Sequence, residues 1–165
     1  MERSVYVLDA NVFIEAARRY YAFDLHTPFW DILSEHAESG VVESIDRIEN
    51  ELGKENDALA RWVQDSFNHA FHSTDQDDVI KSYGGVMTWV HAQPQYSDAA
   101  KADFASGADG WLIAYALARG RVLVTHEVVA PEARRKVPIP NVCEQFHVRY
   151  VDTFGMLREL AVRFT

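Results

Sequence analysis

The chain has 165 residues, which is the size of one ordinary domain and is long enough for a hydrophobic core. Hydrophobic residues make up 48% and charged residues 25%, which is typical of globular proteins, and the apolar runs are too short for a membrane helix. A single cysteine, Cys143, excludes an internal disulfide framework and a cysteine-based zinc site. The N-terminal segment lacks the hydrophobic region of a signal peptide, so we expect one soluble, cytoplasmic domain over residues 1–165.

The net charge is −9 at neutral pH, and the isoelectric point is about 5.2. Nucleic-acid-binding domains usually carry a basic surface, so this balance argues mildly against a nucleic acid as partner. It suits a metal site, a basic protein partner or simple solubility. Because net charge does not describe local patches, a basic groove stays compatible with the sequence.

The first half of the chain is predicted to hold two short strands, each followed by helix. The apolar, β-branched run Ser4–Leu8 is typical of a buried strand, and a helix is predicted to follow over 11–19. A Thr-Pro pair and a closing glycine delimit a helix over 27–40. Residues 41–42 begin the second strand, and a helix over 44–53 follows it.

The second half is predicted to be mainly helical, with two further strands. Helices are predicted over 56–67, 75–91, 97–104 and 107–119, and after residue 152 through Phe164. Strands are predicted over 121–125 and 148–151, with Gly120 ending the helix before the first of them and the proline-containing segment 126–141 mostly loop. Residues that favour helix N-caps precede the helices: Thr27, Ser44, Asn56, Ser97, and Asp152 or Thr153.

Short apolar strands separated by helices predict the α/β class. Such strands are typical of a parallel sheet that is covered on both faces, so we expect a three-layer α/β/α sandwich with a short parallel sheet. In sheets of this kind, ligands bind outside the carboxyl ends of the strands. Functional residues are therefore expected at that edge.

Four carboxylates from separate segments are candidates for that edge. Asp9 ends the first strand, Glu127 lies two residues past the third, Asp109 opens the helix before the third, and Glu51 lies on the helix after the second. Close carboxylates repel one another, and a divalent cation relieves that repulsion. Oxygen ligands suit Mg²⁺ or Mn²⁺, so the combination predicts a metal site.

Each of these acids also has an ordinary structural interpretation. Asp9 suits a helix N-cap, and Asp109 suits the favourable dipole at a helix start. Glu51 suits a solvated helix surface, and Glu127 suits an exposed loop. The functional hypothesis depends on their combination and their order along the chain.

Four segments carry a resemblance to a known family. They read VYVLDANVFIEA, SIDRIENEL, FASGADGWLIAYALARG and RVLVTHE. The chain resembles the PIN-domain ribonucleases, which include the VapC-type toxins of bacterial toxin–antitoxin pairs. The resemblance spans about residues 4–127, and the final strand and helix also fit. The longer insert between the second and third acids suggests a distinct subfamily, and the resemblance implies a PIN-like fold.

The resemblance also implies roles for individual residues. Asp9, Glu51 and Asp109 match the acids that hold metal in the family, and Glu127 matches a fourth position where most members have Asp. Asn11 and Thr125 match the polar residues that support those acids. Other acids near the second position stay open as alternatives to it: Glu43, Asp46, Glu49 and Glu55.

The implied activity is metal-dependent hydrolysis of RNA by an endoribonuclease. Mg²⁺ or Mn²⁺ bound by the acids would activate water for attack on a phosphodiester bond. The resemblance further implies that the chain is the toxin of a toxin–antitoxin module with a cognate antitoxin, and a homodimer is compatible with it. Candidate phosphate contacts are Arg18, Arg19, Arg119, Arg121, Arg134, Arg135 and Lys136. Candidate base-stacking residues are Tyr20, Tyr21 and Trp111.

Two other functions are weighed against this one. A phosphohydrolase of the haloacid-dehalogenase type also opens with an aspartate after the first strand, but it requires a second aspartate where this chain has Asn11. A catalytically silent PIN-like protein-interaction module would tolerate the loss of acids. All four acidic positions are present here, which favours activity.

Overall fold

Short strands and longer helices alternate along the chain, which is described for residues 3–54 and 57–164 in a computed structural model. The strands are β1 (Tyr6–Leu8), β2 (Val42–Ile45), β3 (Phe71–His72), β4 (Val122–Val124) and β5 (Tyr150–Val151). The helices are α1 (Ala10–Glu15), α2 (Thr27–Glu38), α3 (Asp46–Gly53), α4 (Ala58–Trp62), α5 (Asp77–Ala92), α6 (Asp98–Ser106), α7 (Asp109–Arg119), α8 (Ile139–Phe146) and α9 (Thr153–Glu159). No helix in these described ranges is both long and apolar enough to cross a membrane.

The described strands form one parallel sheet in the order β3-β2-β1-β4-β5. In its centre, Val7 of β1 pairs with Glu43 of β2 on one side and with Leu123 of β4 on the other. All residues of β1, β2 and β4 are buried because helices flank the sheet. The α/β class with a short parallel sheet is confirmed.

Helix α7 connects the core to the carboxyl edge of the sheet. It buries an apolar side that includes Leu112 and Ile113, and it packs mainly against α5. Gly110 permits close packing there, because a Cβ atom would lie 3.1 Å from the Tyr83 ring. The helix ends at Gly120, whose φ of +65° is the left-handed conformation that the sequence predicts at this position.

The structure contains two elements that the sequence does not predict. Strand β3 has only two residues, which is too short to produce an alternating pattern. Helix α8 begins inside the segment 126–141, which the sequence predicts to be mostly loop. Its prolines do not prevent this helix: Pro138 stands at its N-cap and Pro140 lies in the first turn, where no backbone N–H is needed.

Two predicted helix caps are confirmed. The Ser97 hydroxyl accepts a hydrogen bond from Ala100 N at 3.1 Å and so caps α6. The Asp152 carboxylate accepts one from Gly155 N at 2.7 Å and so caps α9. Both bonds satisfy a backbone donor that has no partner within its helix.

Two other predicted caps are wrong. His26, rather than Thr27, caps α2, since its ring nitrogen accepts from Phe29 N. Ser44 lies inside β2, where its hydroxyl donates to Leu8 O at 2.7 Å. Its short polar side chain satisfies a buried carbonyl of the neighbouring strand instead of starting a helix.

Boundaries differ at two further helices. The helix predicted over 11–19 is α1 followed by a wider, π-helical turn over Ala16–Tyr20. The predicted cap Asn56 lies outside the described residues. Asp57 caps α4 by accepting from Ala60 N at 3.1 Å.

Candidate active site at the carboxyl edge of the sheet

The candidate site begins at Asp9, where β1 ends. Its backbone N–H donates to Val124 O at 2.9 Å, which ties it to the end of β4. Its side chain is only 4% exposed, and Thr125 Oγ1 donates to Asp9 Oδ2 at 3.0 Å. The carboxylate makes no capping hydrogen bond to α1. The hydrogen bonds to β4 and to Thr125 therefore hold Asp9 at the end of the neighbouring strand.

Thr125 connects Asp9 to Glu127. Its hydroxyl also accepts a hydrogen bond from Glu127 N at 3.1 Å, which fixes the turn after β4. The Glu127 carboxylate accepts from Ile139 N at 3.1 Å and lies 3.2 Å from Lys136 Nζ. Glu127 is thus anchored by the segment that leads into α8.

Asp109 begins α7 and is half-buried beside these residues. Burial and then the nearby Glu127 carboxylate raise the pKa of Asp109 to about 6. Lys136 opposes this shift in pKa, and Glu51 adds to it. Asp109 therefore shares one electrostatic environment with two other predicted site acids.

Asp9 shows the same effect more strongly. Burial raises the pKa of its carboxyl to about 7, and the charges of Asp109 and Glu127 contribute to the increase. The hydrogen bond from Thr125 opposes it without cancelling it. The charges of Asp109 and Glu127 thus act on the buried Asp9 carboxyl, and this negative charge is incompletely compensated.

Glu51 lies at the rim of this group. Its side chain is on the exposed side of α3, although the surrounding protein removes enough hydration to raise its pKa. The nearby Lys54 opposes that rise. Glu51 acts on the cluster through its charge, which contributes to the raised pKa of Asp109.

The alternative acids near Glu51 have different surroundings. Glu43 is buried in β2 and pairs with a histidine and an arginine. Asp46 accepts hydrogen bonds from a threonine in the loop after β3. Glu49 is half-buried on α3, where burial and then Asp46 raise its pKa. Glu55 lies outside the described residues.

The acidic group fits a hard divalent cation in chemistry, because carboxylate oxygens are the ligands that Mg²⁺ and Mn²⁺ prefer. Burial first, and then repulsion from the neighbouring acids, raises the pKa values of Asp9 and Asp109, and a cation would relieve that repulsion. Within residues 3–54 and 57–164, no three Asp, Glu, His or Cys side chains are grouped closely enough to hold a metal ion together. Glu127 instead contacts Lys136, so metal binding would require these side chains to draw together.

Several clefts adjoin the acids. A cleft of about 300 Å³ is lined by Asn11, Glu15, Tyr20, His126 and Glu127. A smaller one of about 90 Å³ lies between Asp109 and the basic pair Arg135 and Lys136, together with residues of α6. A third, of about 250 Å³, includes Glu51, Arg47 and Lys54. Each cleft joins a predicted site acid to polar or basic side chains.

Comparison with known proteins identifies the family. A family model described as "Domain of unknown function (DUF4411)" matches residues 6–164. The chain belongs to the DUF4411 family. No curated protein matches it significantly.

The DUF4411 chain is similar in structure to a chain of VapBC2 from Rickettsia felis, in a crystal structure bound to a DNA fragment from their promoter. The TM-score is 0.52 and the sequence identity is 13%, and the alignment covers 90% of this chain and 98% of that one. At this identity the likeness concerns the fold alone. It supports the PIN-like fold class that the sequence predicts.

Five of the seven predicted phosphate contacts of the DUF4411 chain occupy two regions. All five lie on the surface: Arg18, Arg19, Arg134, Arg135 and Lys136. Arg135 and Lys136 line the cleft beside Asp109, whereas Arg19 lies 3.3 Å from Glu15 in the turn after α1. The structure thus places basic residues near the acids and along the chain that leads away from Asp9.

Two further arginines named from the sequence lie elsewhere. Arg119 pairs with Asp78 at 2.6 Å, and Arg121 pairs with Glu43 at 2.7 Å. Both arginines precede β4, so they lie near the amino ends of the strands, away from the acids. Their charges are compensated within the fold, which removes the basis for proposing them as phosphate contacts.

Of the three aromatic candidates, only Tyr20 keeps an open face. Tyr21 stacks on Phe29 with ring centroids 4.3 Å apart. The Trp111 ring stacks on Tyr83 with ring centroids 3.7 Å apart, and the guanidinium carbon of Arg47, on α3, lies 4.1 Å from the Trp111 centroid. Tyr20 is 50% exposed and lines the cleft of about 300 Å³ beside Glu127 together with His126, to which the sequence assigns no role.

Proposed function

We propose that this DUF4411 protein is a metal-dependent endoribonuclease that hydrolyses RNA phosphodiester bonds at the carboxyl edge of its sheet. The observation that carries the proposal is the environment of Asp9. This carboxyl is buried, its pKa is raised to about 7, and two of the charges responsible belong to Asp109 and Glu127. A buried acid among other acids is unfavourable for folding and typical of functional sites.

Asp9, Glu51, Asp109 and Glu127 are the residues proposed to hold Mg²⁺ or Mn²⁺. When bound, such a cation lowers the pKa of a water ligand and neutralises charge on the phosphate. Thr125 positions the Asp9 carboxylate by its hydrogen bond, and Asn11 contributes an exposed amide at the mouth of the adjacent cleft.

The basic residues support RNA as the substrate. Arg135 and Lys136 stand beside Asp109, and a phosphate held there would lie next to the acids. We propose that these two residues, together with Arg18, Arg19 and Arg134, guide the RNA strand. Local positive charge of this kind offsets the overall acidity of the chain.

The similarity to VapBC2 supports a role within a toxin–antitoxin pair, at the level of the fold. On that basis we propose that the protein acts as the toxin, in the cytoplasm, with a cognate antitoxin as partner. A basic residue of the antitoxin would complement the acidic site, because a guanidinium pairs well with carboxylates. A homodimer is compatible with this proposal.

The experiment that tests the nuclease uses labelled single-stranded RNA with Mg²⁺, Mn²⁺ or EDTA. The wild type is compared with Asp9→Asn, Asp109→Asn and the matched control Asp31→Asn, which changes an exposed acid on α2. We expect metal-dependent cleavage that each site substitution lowers by about a hundredfold or more, and that the control leaves unchanged. Equal cleavage by all four proteins would contradict the assignment. No cleavage by the wild type with any metal would favour the catalytically silent interaction module.

A further inference from the structure

The aromatic pair Tyr20 and His126 is not needed to hold a metal or to attack a phosphate, yet it adjoins the acids. Tyr20 ends the π-helical turn after α1, and His126 follows β4. Their rings are nearly parallel, with an interplanar angle of 24° and centroids 6.1 Å apart. Two distant segments therefore bring aromatic rings together at the wall of the cleft that also contains Glu127.

This pair is supported on one side by the fold. His126 Nε2 and the hydroxyl of Thr153, a residue only 2% exposed, share a hydrogen bond of 2.8 Å. The ring of Phe154 stands edge-on to Tyr20, with centroids 5.4 Å apart, and lies 6.4 Å from His126. The support limits how far the two rings can turn, although Tyr20 stays 50% exposed.

The side chains that line the cleft in front of this pair favour an uncharged nucleobase over a phosphate. Glu15 and Glu127 line it, so a phosphate group would meet negative charge there. A nucleobase is uncharged, and its flat face stacks on aromatic rings. The Asn11 amide and the Glu15 carboxylate supply donors and acceptors for the edge of a base. The volume of about 300 Å³ is at the lower end of the range for small-molecule sites.

We propose that Tyr20 and His126 form a stacking platform for one unpaired nucleobase of the RNA, next to the acidic cluster. This inference rests on the proposed function and adds a specificity determinant to it. A base held on the platform would fix which phosphodiester bond lies at the acids. The substrate would therefore be single-stranded at that position, because a paired and stacked base cannot offer its face to the protein.

The test measures binding separately from cleavage. A labelled hexaribonucleotide and six derivatives, each lacking the base at one position, are titrated by fluorescence anisotropy with Ca²⁺ and with EDTA, and a gel verifies that the RNA stays intact. The proteins are the wild type, Tyr20→Leu, Arg18→Gln, and Tyr20→Phe, which keeps an aromatic ring. Thermal unfolding of each variant establishes that it is folded.

We expect Tyr20→Leu to weaken binding of the intact RNA by about tenfold, and Tyr20→Phe by less than about twofold. Removing one particular base should weaken wild-type binding by a similar factor and leave Tyr20→Leu binding unchanged. Arg18→Gln, a control for phosphate contacts, should weaken binding of all seven oligonucleotides by about the same factor.

The outcomes separate this inference from the proposed function. If folded Tyr20→Leu binds every oligonucleotide as the wild type does, or if the wild type binds none of them, the platform is refuted. If removal of one base weakens wild-type binding but not Tyr20→Leu binding, and the wild type cleaves no RNA, the platform is supported and the nuclease is refuted. If the wild type cleaves RNA but Tyr20→Leu changes the binding of no oligonucleotide, the platform alone is refuted.

Discussion

Two buried acids on adjacent strands of the sheet have opposite surroundings. Glu43, in β2, is 5% exposed, and Asp9, at the end of β1, is 4% exposed. Glu43 accepts hydrogen bonds from Tyr115 at 3.0 Å and Arg121 at 2.7 Å, and it lies 3.0 Å from His72 Nε2. Asp9 has a hydroxyl partner and two neighbouring acids instead.

The difference lies in how the fold compensates the charge of each buried carboxylate. Burying a charge is unfavourable unless an opposite charge and hydrogen bonds accompany it. Around Glu43 the chain supplies both, and the buried Tyr115 stays a donor because burial and Glu43 raise its pKa to about 12. Around Asp9 the compensation is incomplete. The uncompensated end of the sheet is the one where we propose that a cation binds.

The largest effect on stability is expected from Glu43→Gln. This substitution leaves the Arg121 guanidinium beside a neutral amide, and breaking a buried ion pair in this way is unfavourable. We expect the free energy of unfolding, measured by urea denaturation at pH 8 in EDTA, to fall by about 3 kcal/mol. A loss below about 1 kcal/mol would mean that the Glu43 network is not a structural ion pair.

Asp9→Asn is expected to raise the free energy of unfolding of the metal-free protein, whereas Glu43→Gln lowers it. The pKa of Asp9 is raised in the fold from 3.8 to about 7, so the stability that its proton contributes is fully present below pH 3.8 and is lost as the pH rises through 7. The amide has no such titration. At pH 8 in EDTA we expect Asp9→Asn to be more stable than the wild type by on the order of 2 kcal/mol.

The control for this prediction is the same comparison at pH 4. The difference between Asp9→Asn and the wild type should shrink there, because the Asp9 carboxyl is then protonated in the folded protein. Urea denaturation at several pH values gives the slope directly. A difference that did not change between pH 4 and pH 8 would contradict the raised pKa.

Mg²⁺ or Mn²⁺ should compensate the charge of the acids around Asp9 and so stabilise the folded protein. A cation that binds only the folded protein stabilises it by about 1.4 kcal/mol at a concentration of ten times its Kd. We expect the wild-type melting temperature to rise on metal addition, and that of Asp9→Asn to rise much less. Equal responses would place metal binding elsewhere in the molecule. The measurement does not depend on nuclease activity.

The sequence predicts the Asp9 side of this comparison better than the Glu43 side. An acid directly after one apolar strand and another acid two residues past a later strand indicate a common edge of the sheet. The pairing of Glu43 with Arg121 joins residues 78 positions apart, and no local pattern reveals it. Proximity to Glu51 made Glu43 a candidate for the site, although its strand places it in the core.

The same limit applies to the rest of the fold and the site. Long helices with a clear apolar face, such as α7, follow from the sequence. The sequence does not predict helix α8, which begins in the proline-containing segment 126–141, because its prolines stand at the one end of a helix that accepts them. The contact between Lys136 and Glu127 and the meeting of Tyr20 with His126 depend on how separate loops pack, which single-sequence patterns do not contain.

Lys136→Met is expected to have the smallest effect on stability, and it tests whether the two ends of the sheet differ in how their acids are compensated. Lys136 Nζ lies 3.2 Å from Glu127, but its side chain is 62% exposed, so water weakens this pair. We expect the substitution to change the free energy of unfolding by less than about 1 kcal/mol at low salt. The matched change Arg121→Met, at the compensated end, should be clearly more destabilising because it leaves Glu43 buried without its guanidinium.

The same two variants should affect metal affinity in the opposite order: Lys136→Met should change it, and Arg121→Met should not. Lys136→Met removes the cation that contacts Glu127, so we expect tighter Mg²⁺ binding, measured by the rise in melting temperature with metal concentration. Arg121→Met should leave that dependence unchanged, because Arg121 lies at the amino end of β4. If Lys136→Met weakened metal binding instead, the lysine would be a support of the Glu127 position rather than a competitor for its charge.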